Sequence, residues 1–398
     1  MPRALLAVIV CCASVACVDR GEVLTKLDNQ SDAAVAGAAK DVSCGDGHCA
    51  AAIGGAVYLW GQNDQGQLGS GDGQNRLSPV LLQGSKSWQH VASGSGHTCA
   101  LNNSGQVYCW GSNSRGQLGQ GDRAARAAPA LVTLPQPATQ ISSKFNHACA
   151  LLVNAGLYCW GQNDEGQLGQ SDVPPSGDAA AADALSPVPV GSPTWRFTDT
   201  GQGHTCAINI DGSLWCWGRN SDHELGDDSR IQVREPLQVM PAGPWLNVAA
   251  GQNHTCGVMQ DFTLWCWGSN TGSDSNAGFP LGISGVSQVS TPTQVGTATN
   301  WSVVRTNTFH TCALDQNANL LCFGRNIEGQ LGAADTENRP TPVRVASDVA
   351  HASVGRFTTC AIDNAGNIRC AGANDVGQLG TGDTERRDVF TSVSLGAP

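Results

Sequence analysis

Twelve of the chain's 17 cysteines form six pairs, and in every pair the two residues stand ten positions apart: Cys99/Cys109, Cys149/Cys159, Cys206/Cys216, Cys256/Cys266, Cys312/Cys322 and Cys360/Cys370. Each pair lies in a recurring phrase, clearest at 97–119 as HTCALNNSGQVYCWGSNSRGQLG, so the 398 residues are one unit copied many times. The most constant element, Gly-x-Asn, begins at Gly61, Gly111, Gly161, Gly218, Gly268, Gly324 and Gly372, giving seven copies at spacings of 50, 50, 57, 50, 56 and 48. Helical repeats are shorter and carry a 3.6-residue apolar period. A longer period of short alternating segments broken by Gly and Pro predicts a propeller blade. The expected fold is all-β, a seven-bladed β-propeller of four-stranded blades.

Within a copy, Val91–Gly94 reads as a first strand, Thr98–Leu101 as a second, Gln106–Gly111 as a third, and Pro79–Leu82 shows what a fourth looks like. The turn Asn102-Asn103-Ser104-Gly105 offers residues that tolerate positive φ, as a tight hairpin requires. Centred there, the hairpin sets Cys99 opposite Cys109, so each ten-residue pair is expected to be a cross-strand disulfide. The first copy departs from this rule. Counted back from Gly-x-Asn, Cys49 falls at the place of Cys99, Leu59 at the place of Cys109, and Cys44 where the second copy has Gly94. Either two free thiols are buried there or Cys44 and Cys49 form a local bridge, which the even cysteine count favours. Zinc sites use short knuckles, and a hairpin pair offers two ligands where four are needed, so neither a metal nor any other cofactor is expected.

Residues 1–17 begin with Arg3 and continue as an apolar run ending in small residues, the pattern of an export signal. Two processing routes compete: cleavage after Ala16, or lipoprotein processing that leaves Cys17 as the acylated first residue. Ser14 stands where lipoprotein signals carry Leu, while the short leader and Cys17 favour lipidation. Residues 18–39 read as a flexible tether and 40–398 as one propeller domain. Regular disulfide pairs independently suit an oxidising compartment, outside the cytosol. A formal charge of −11 repels phosphate backbones, which argues against nucleic acid as a partner.

Histidine recurs two places before the first cysteine, at His97, His147, His204, His254 and His310, with Gly47 and Thr358 in copies one and seven. A residue repeated in every blade answers a problem shared by every blade, so these rings are expected to tie neighbouring segments together. Trp60, Trp110, Trp160, Trp217 and Trp267, and the second set Trp88, Trp195, Trp245 and Trp301, are expected to fill wedges between blades. The chain has no G-x-S-x-G elbow, HExxH or phosphate loop, so no catalytic residue is expected.

With GHTCAL…GQVYCWGSNSRGQLG and the following Pro, residues 40 to 395 resemble the regulator of chromosome condensation (RCC1-type) repeat. The resemblance implies a seven-bladed propeller, and the added cysteine pair looks like the exported bacterial branch. Its functional implication is broad, because members include a guanine-nucleotide exchange factor, secreted β-lactamase inhibitors and extracellular proteins of other roles.

Partner contacts are expected where the repeat breaks, in loops on one face. Copy three inserts Ser171–Leu185 with Asp172, Asp178 and Asp183; copy four has His223, Asp227 and Asp228; copy five carries Asp274 and Phe279. The resulting expectation is a monomeric, exported, non-enzymatic scaffold, attached to a membrane only through lipid, that binds a protein or glycan there. The alternatives are a secreted enzyme inhibitor and an exchange factor. The staples predict that reduction lowers the melting temperature steeply; an unchanged value in dithiothreitol would remove the disulfides from the account.

Overall fold

The computed structural model describes residues 38–84, 86–170, 182–191, 194–241, 243–271 and 278–395. Cys17, Asp172, Asp178 and Asp274 lie outside them. Among the described residues of the unit Ala36–Pro398, 28 strands form seven antiparallel sheets, each of four consecutive strands. Blade 1 comprises Ala39–Cys44, His48–Ile53, Ala56–Gly61 and Arg76–Leu81; blade 2 comprises Trp88–Ser93, His97–Asn102, Val107–Gly111 and Arg126–Leu131. Blade 7 comprises Val349–Val354, Thr358–Asp363, Ile368–Gly372 and Arg387–Ser392. The first strand of blade 1 packs against blade 2 on one side and blade 7 on the other, which closes a ring. The last fourth strand comes from the C-terminal segment itself. The first-to-second and third-to-fourth loops share one face of the ring, called here the loop face.

The core is a series of wedges. Leu59, Leu68 and Leu82 of blade 1 pack with Trp88, Val91 and Trp110 of blade 2, burying both sheet faces that a lone blade would leave wet. Trp110 is fully buried, and its indole N–H donates to the carbonyl of Gln67 in the preceding blade at 2.9 Å. Trp60, Trp160, Trp217 and Trp267 make the same bond to Gln378, Gln117, Gln167 and Glu224.

The cysteines ten apart face each other between the second and third strands of blades 2 to 7. Cys99 opposes Cys109, Cys149 opposes Cys159, and Cys206 opposes Cys216. In the same register Cys256 opposes Cys266, Cys312 opposes Cys322, and Cys360 opposes Cys370. Their Cα atoms stand 4.0 to 4.1 Å apart, and the sulfurs of every pair are at disulfide bonding distance. Each bridge therefore braces one sheet and spans no junction between blades.

Blade 1 corrects the alignment read from sequence. Its second and third strands turn through Gly54-Gly55, both at positive φ, and this hairpin is one residue shorter than that of blade 2. Everything before it therefore slides by one position. Cys49 opposes Trp60 as Thr98 opposes Trp110, so Cys49 holds the threonine place and not that of Cys99. Cys44 opposes Cys49 as Ser93 opposes Thr98, so it stands in the place of Ser93, not Gly94. The two sulfurs are bonded to each other across the first and second strands. His48, not Gly47, fills the histidine place.

The constancy of Gly-x-Asn has a physical cause. Gly111 has φ of 106°, and a Cβ there would lie 2.5 Å from the carbonyl oxygen of Gly96. The asparagine then closes the loop: Asn113 Oδ1 accepts from the Leu118 N–H at 2.9 Å, and the same bond recurs in all seven blades. Gly111→Ala should cost more than ~2 kcal/mol, combining backbone strain and overlap. Gly71→Ala, at positive φ with open space around it, should cost about 1 kcal/mol. Chemical denaturation compares the two; equal losses would refute the steric explanation.

Candidate functional site

The repeated histidines are inter-blade clasps. His48 Nε2 lies 2.9 Å from the Thr98 hydroxyl of the next blade, and His147, His204, His254 and His310 meet Thr205, Thr255, Thr311 and Thr359 in the same way. Thr98 Oγ1 donates its single proton to the Gln67 carbonyl at 2.8 Å, so the histidine must be the donor at Nε2. Where Ala148 replaces the threonine, His97 turns to Ser143 at 2.7 Å. Nδ1 of His48, His97, His147, His204 and His310 is buried without a hydrogen-bond partner. Burial pushes the pKa of His48 to about 4, those of His97, His147, His254 and His310 to about 3, and that of His204 well below its ordinary value.

Of the loop residues singled out from sequence, several serve the loops themselves. Asp183 has no exposed side-chain surface: Arg115 grips it bidentately at 2.9 Å, Arg123 adds a third contact at 2.9 Å, and the Asn163 N–H donates to it. Its carboxylate clamps blade 2 to blade 3 and is not offered to a partner, a correction to the sequence reading. His223 is buried as well, with Nδ1 on the Ser229 carbonyl at 2.8 Å and Nε2 accepting from Arg230 at 3.1 Å. Asp227 caps its own loop through Asn220 and the N–H and hydroxyl of Ser229. Asp228 is exposed and accepts from Ser290 of the next blade, and Phe279 is half-buried. Ala184–Val190, which includes the end of the apparent insertion, is the fourth strand of blade 3.

Sequence reasoning passed over two groups. In the central channel, Asp41 of blade 1 lies between His90 of blade 2 at 3.4 Å and His351 of blade 7 at 3.5 Å. Burial opposes its ionisation, but the bond from His90 and the charge of His351 outweigh it and hold the carboxyl at about 2. Between blades 3 and 4, Lys144 pairs with Asp199 at 2.6 Å. The second group is on the loop face, where Phe309 and Phe357 stack with ring centroids 5.4 Å apart. Arg325 sits 5.1 Å from the Phe309 ring and Arg356 sits 5.0 Å from the Phe357 ring. These four belong to blades 6 and 7; Phe309 and Phe357 stand where blade 2 has Gly96, Arg356 where it has Ser95 and Arg325 where it has Ser112, so the best-kept copy shows no trace of the cluster.

The family model for the regulator of chromosome condensation (RCC1) repeat matches residues 54–101, 104–151, 154–208, 211–258 and 317–362, more than half of the chain. The chain belongs to the RCC1 repeat family. Human WBSCR16 superposes with a TM-score of 0.75 at 18% identity, covering 85% of this chain and 94% of that one. Prp20p from Saccharomyces cerevisiae, described with its binding to Gsp1p and histones, gives 0.73 at 20% identity, covering 85% and 86%. At these identities the likeness is one of fold. The ultraviolet-B receptor UVR8 of Arabidopsis thaliana is 42% identical over 65 residues, which span 16% of this chain and only 15% of that receptor.

RCC1 repeat histidines in this chain carry a pH dependence. Their folded values lie below the unfolded value near 6.5, so the unfolded chain binds more protons throughout the interval between. Stability is complete above about pH 7 and is lost as pH falls toward 3, by roughly 1 to 2 kcal/mol per ring at pH 5. Melting temperature against pH should fall steeply below pH 6, and His254→Gln should flatten the slope. A profile level down to pH 4 would contradict the neutral buried rings.

Proposed function

We propose that this chain is an exported propeller, tethered to a bacterial outer membrane by lipid on Cys17, that holds a protein partner on its loop face and turns over no substrate. The observation that carries this reading is a division of labour among the side chains. Repeated His, Thr, Gln, Asn and Trp are consumed within and between blades, whereas Arg356 and half-buried Phe357 stand on the loop face over buried Phe309 and a largely covered Arg325, with 46% of the Arg356 side chain exposed. Aromatic side chains bury a large area for little lost rotamer freedom and arginine adds ring stacking and a fork of hydrogen-bond donors, so both dominate interface energetics. A protein is favoured over a glycan by Prp20p, a neighbour in fold that binds proteins. Export is supported by the leader and by seven disulfides, which persist where thiols are not kept reduced. The repeat histidines and paired cysteines are committed to the scaffold, which leaves no nucleophile and base in register among them.

Cross-linking the intact protein in its own cell envelope tests the reading. A partner recovered with the unaltered chain should fall at least about tenfold with Arg356→Ala/Phe357→Ala, the loss of two interface anchors. It should persist with Asn103→Ala on the opposite face. Recovery unchanged by the double substitution would overturn the assigned face, and an unacylated mature N-terminus by mass spectrometry would remove the tether.

A further inference from the structure

The junction between blades 7 and 1 differs from the other six. At those, a histidine on one blade bonds a hydroxyl on the next. At the seam the histidine place holds Thr358, the threonine place holds Cys49, and the place of Ser93 and Ser143 holds Cys44. The clasp has been exchanged for sulfur. Cys44 is bonded to Cys49 within blade 1 and Cys360 to Cys370 within blade 7, yet Cys44 Sγ lies 3.3 Å from Cys360 Sγ across the seam. The sulfurs of Cys44, Cys49 and Cys360 all lie within 4.8 Å of one another. All four cysteines belong to one buried cluster, and the Cys44 N–H is fixed by Ser353 Oγ of blade 7 at 2.9 Å.

Cys360 Sγ stands within reach of Cys44 Sγ but to one side of the Cys44–Cys49 bond, so the thiolate that reduction frees from Cys370 has only to turn into line with that bond to attack it. We propose that the seam is a thiol–disulfide exchange site at which Cys360 takes Cys44 from Cys49, closing the propeller ring covalently. The step needs a dithiol reductant, which delivers two electrons to the Cys360–Cys370 bond and leaves as its own disulfide. Cys370 keeps a proton as a thiol, and the Cys360 thiolate attacks Cys44 Sγ. The Cys44–Cys360 bond forms, the Cys44–Cys49 bond breaks, and Cys49 departs as a thiolate that then takes up a proton. Two bridges and one dithiol thus become one inter-blade bridge, two thiols and one oxidised dithiol.

The exchange moves a staple to where it constrains most. The existing bridges join residues 5 and 10 apart and brace single sheets, whereas Cys44 and Cys360 are 316 apart. Six junctions are crossed by the continuous chain, while the seam joins its two ends. Opening of the ring therefore begins there, and the same opening admits the reductant.

The test is limited reduction of the intact protein with dithiothreitol, alkylation with iodoacetamide, and non-reducing digestion with trypsin and Asp-N. These cut between Cys44 and Cys49 at Asp46 and between Cys360 and Cys370 at Arg369. The expected result is a Cys44–Cys360 peptide pair absent before reduction, with Cys49 and Cys370 alkylated. Finding Cys44 and Cys360 only in their original bridges or alkylated would overturn the proposal. In Cys49→Ser/Cys370→Ser, oxidation should join Cys44 to Cys360 directly, raise the melting temperature over the reduced form and shift mobility on a non-reducing gel. A folded double variant with both sulfurs free after oxidation would equally overturn it; if the variant does not fold, the mapping of the unaltered chain decides.

Discussion

The ring depends on one acceptor repeated in each blade, the carbonyl oxygen of the residue before Leu-Gly. Gln67 O receives the Trp110 indole N–H at 2.9 Å and the Thr98 hydroxyl at 2.8 Å, both from the following blade. Because Thr98 spends its proton there, it becomes the acceptor for His48. The Gln67 side chain meanwhile accepts from the Gln65 N–H, and Asn63 accepts from the Leu68 N–H, so the loop that presents the carbonyl is held on both sides of it. A buried indole or hydroxyl without such a partner would cost about 1 to 3 kcal/mol. Gly-x-Asn, Gln-Leu-Gly, His-Thr and Trp are therefore parts of one junction.

That economy separates scaffold from function. A group that appears in every blade is satisfied by its neighbour's copy of the same junction, which removes it from the surface and from chemistry together. What lies outside that shared junction is whatever only one or two blades possess: half-buried Phe357 and exposed Arg356 on the loop face, stacked over buried Phe309 beside Arg325, the Asp41 and His351 contact in the channel, and the buried sulfurs at the seam. Glu224 shows the limit of such reading. It breaks the Gln pattern, yet its carboxylate accepts from the Asp222 N–H just as Gln117 accepts from Arg115, so the departure is absorbed by the scaffold.

The fold was legible because period-fifty repeats leave few architectures open, and a ten-residue cysteine spacing across a turn has one sensible geometry. Blade 1 was legible only in outline. Alignment by counting assumes equal hairpins, and Gly54-Gly55 shortens one by a residue, which turns each side chain before it to the other face. The acids of the loops were misjudged for a related reason. Asp183 looks like a surface carboxylate in sequence, and only the fold brings onto it Arg115 and Arg123, which stand 68 and 60 positions earlier in the chain.

By itself the sequence determined the number of blades, the strand order within them and the residues that recur, since local turn chemistry and alternation repeat wherever the phrase repeats. Tertiary structure alone decided what lies beside what across a junction. The contact between Cys44 and Cys360 joins residues 316 apart, and the stack of Phe309 on Phe357 joins different blades. Cys44 and Cys360 hold different places in their copies, whereas Phe309 and Phe357 hold the same place in successive ones. The meeting of Cys44 and Cys360 follows from closure of the ring, a global constraint that no local pattern encodes, and the stack of the two phenylalanines follows from the packing of one blade on the next.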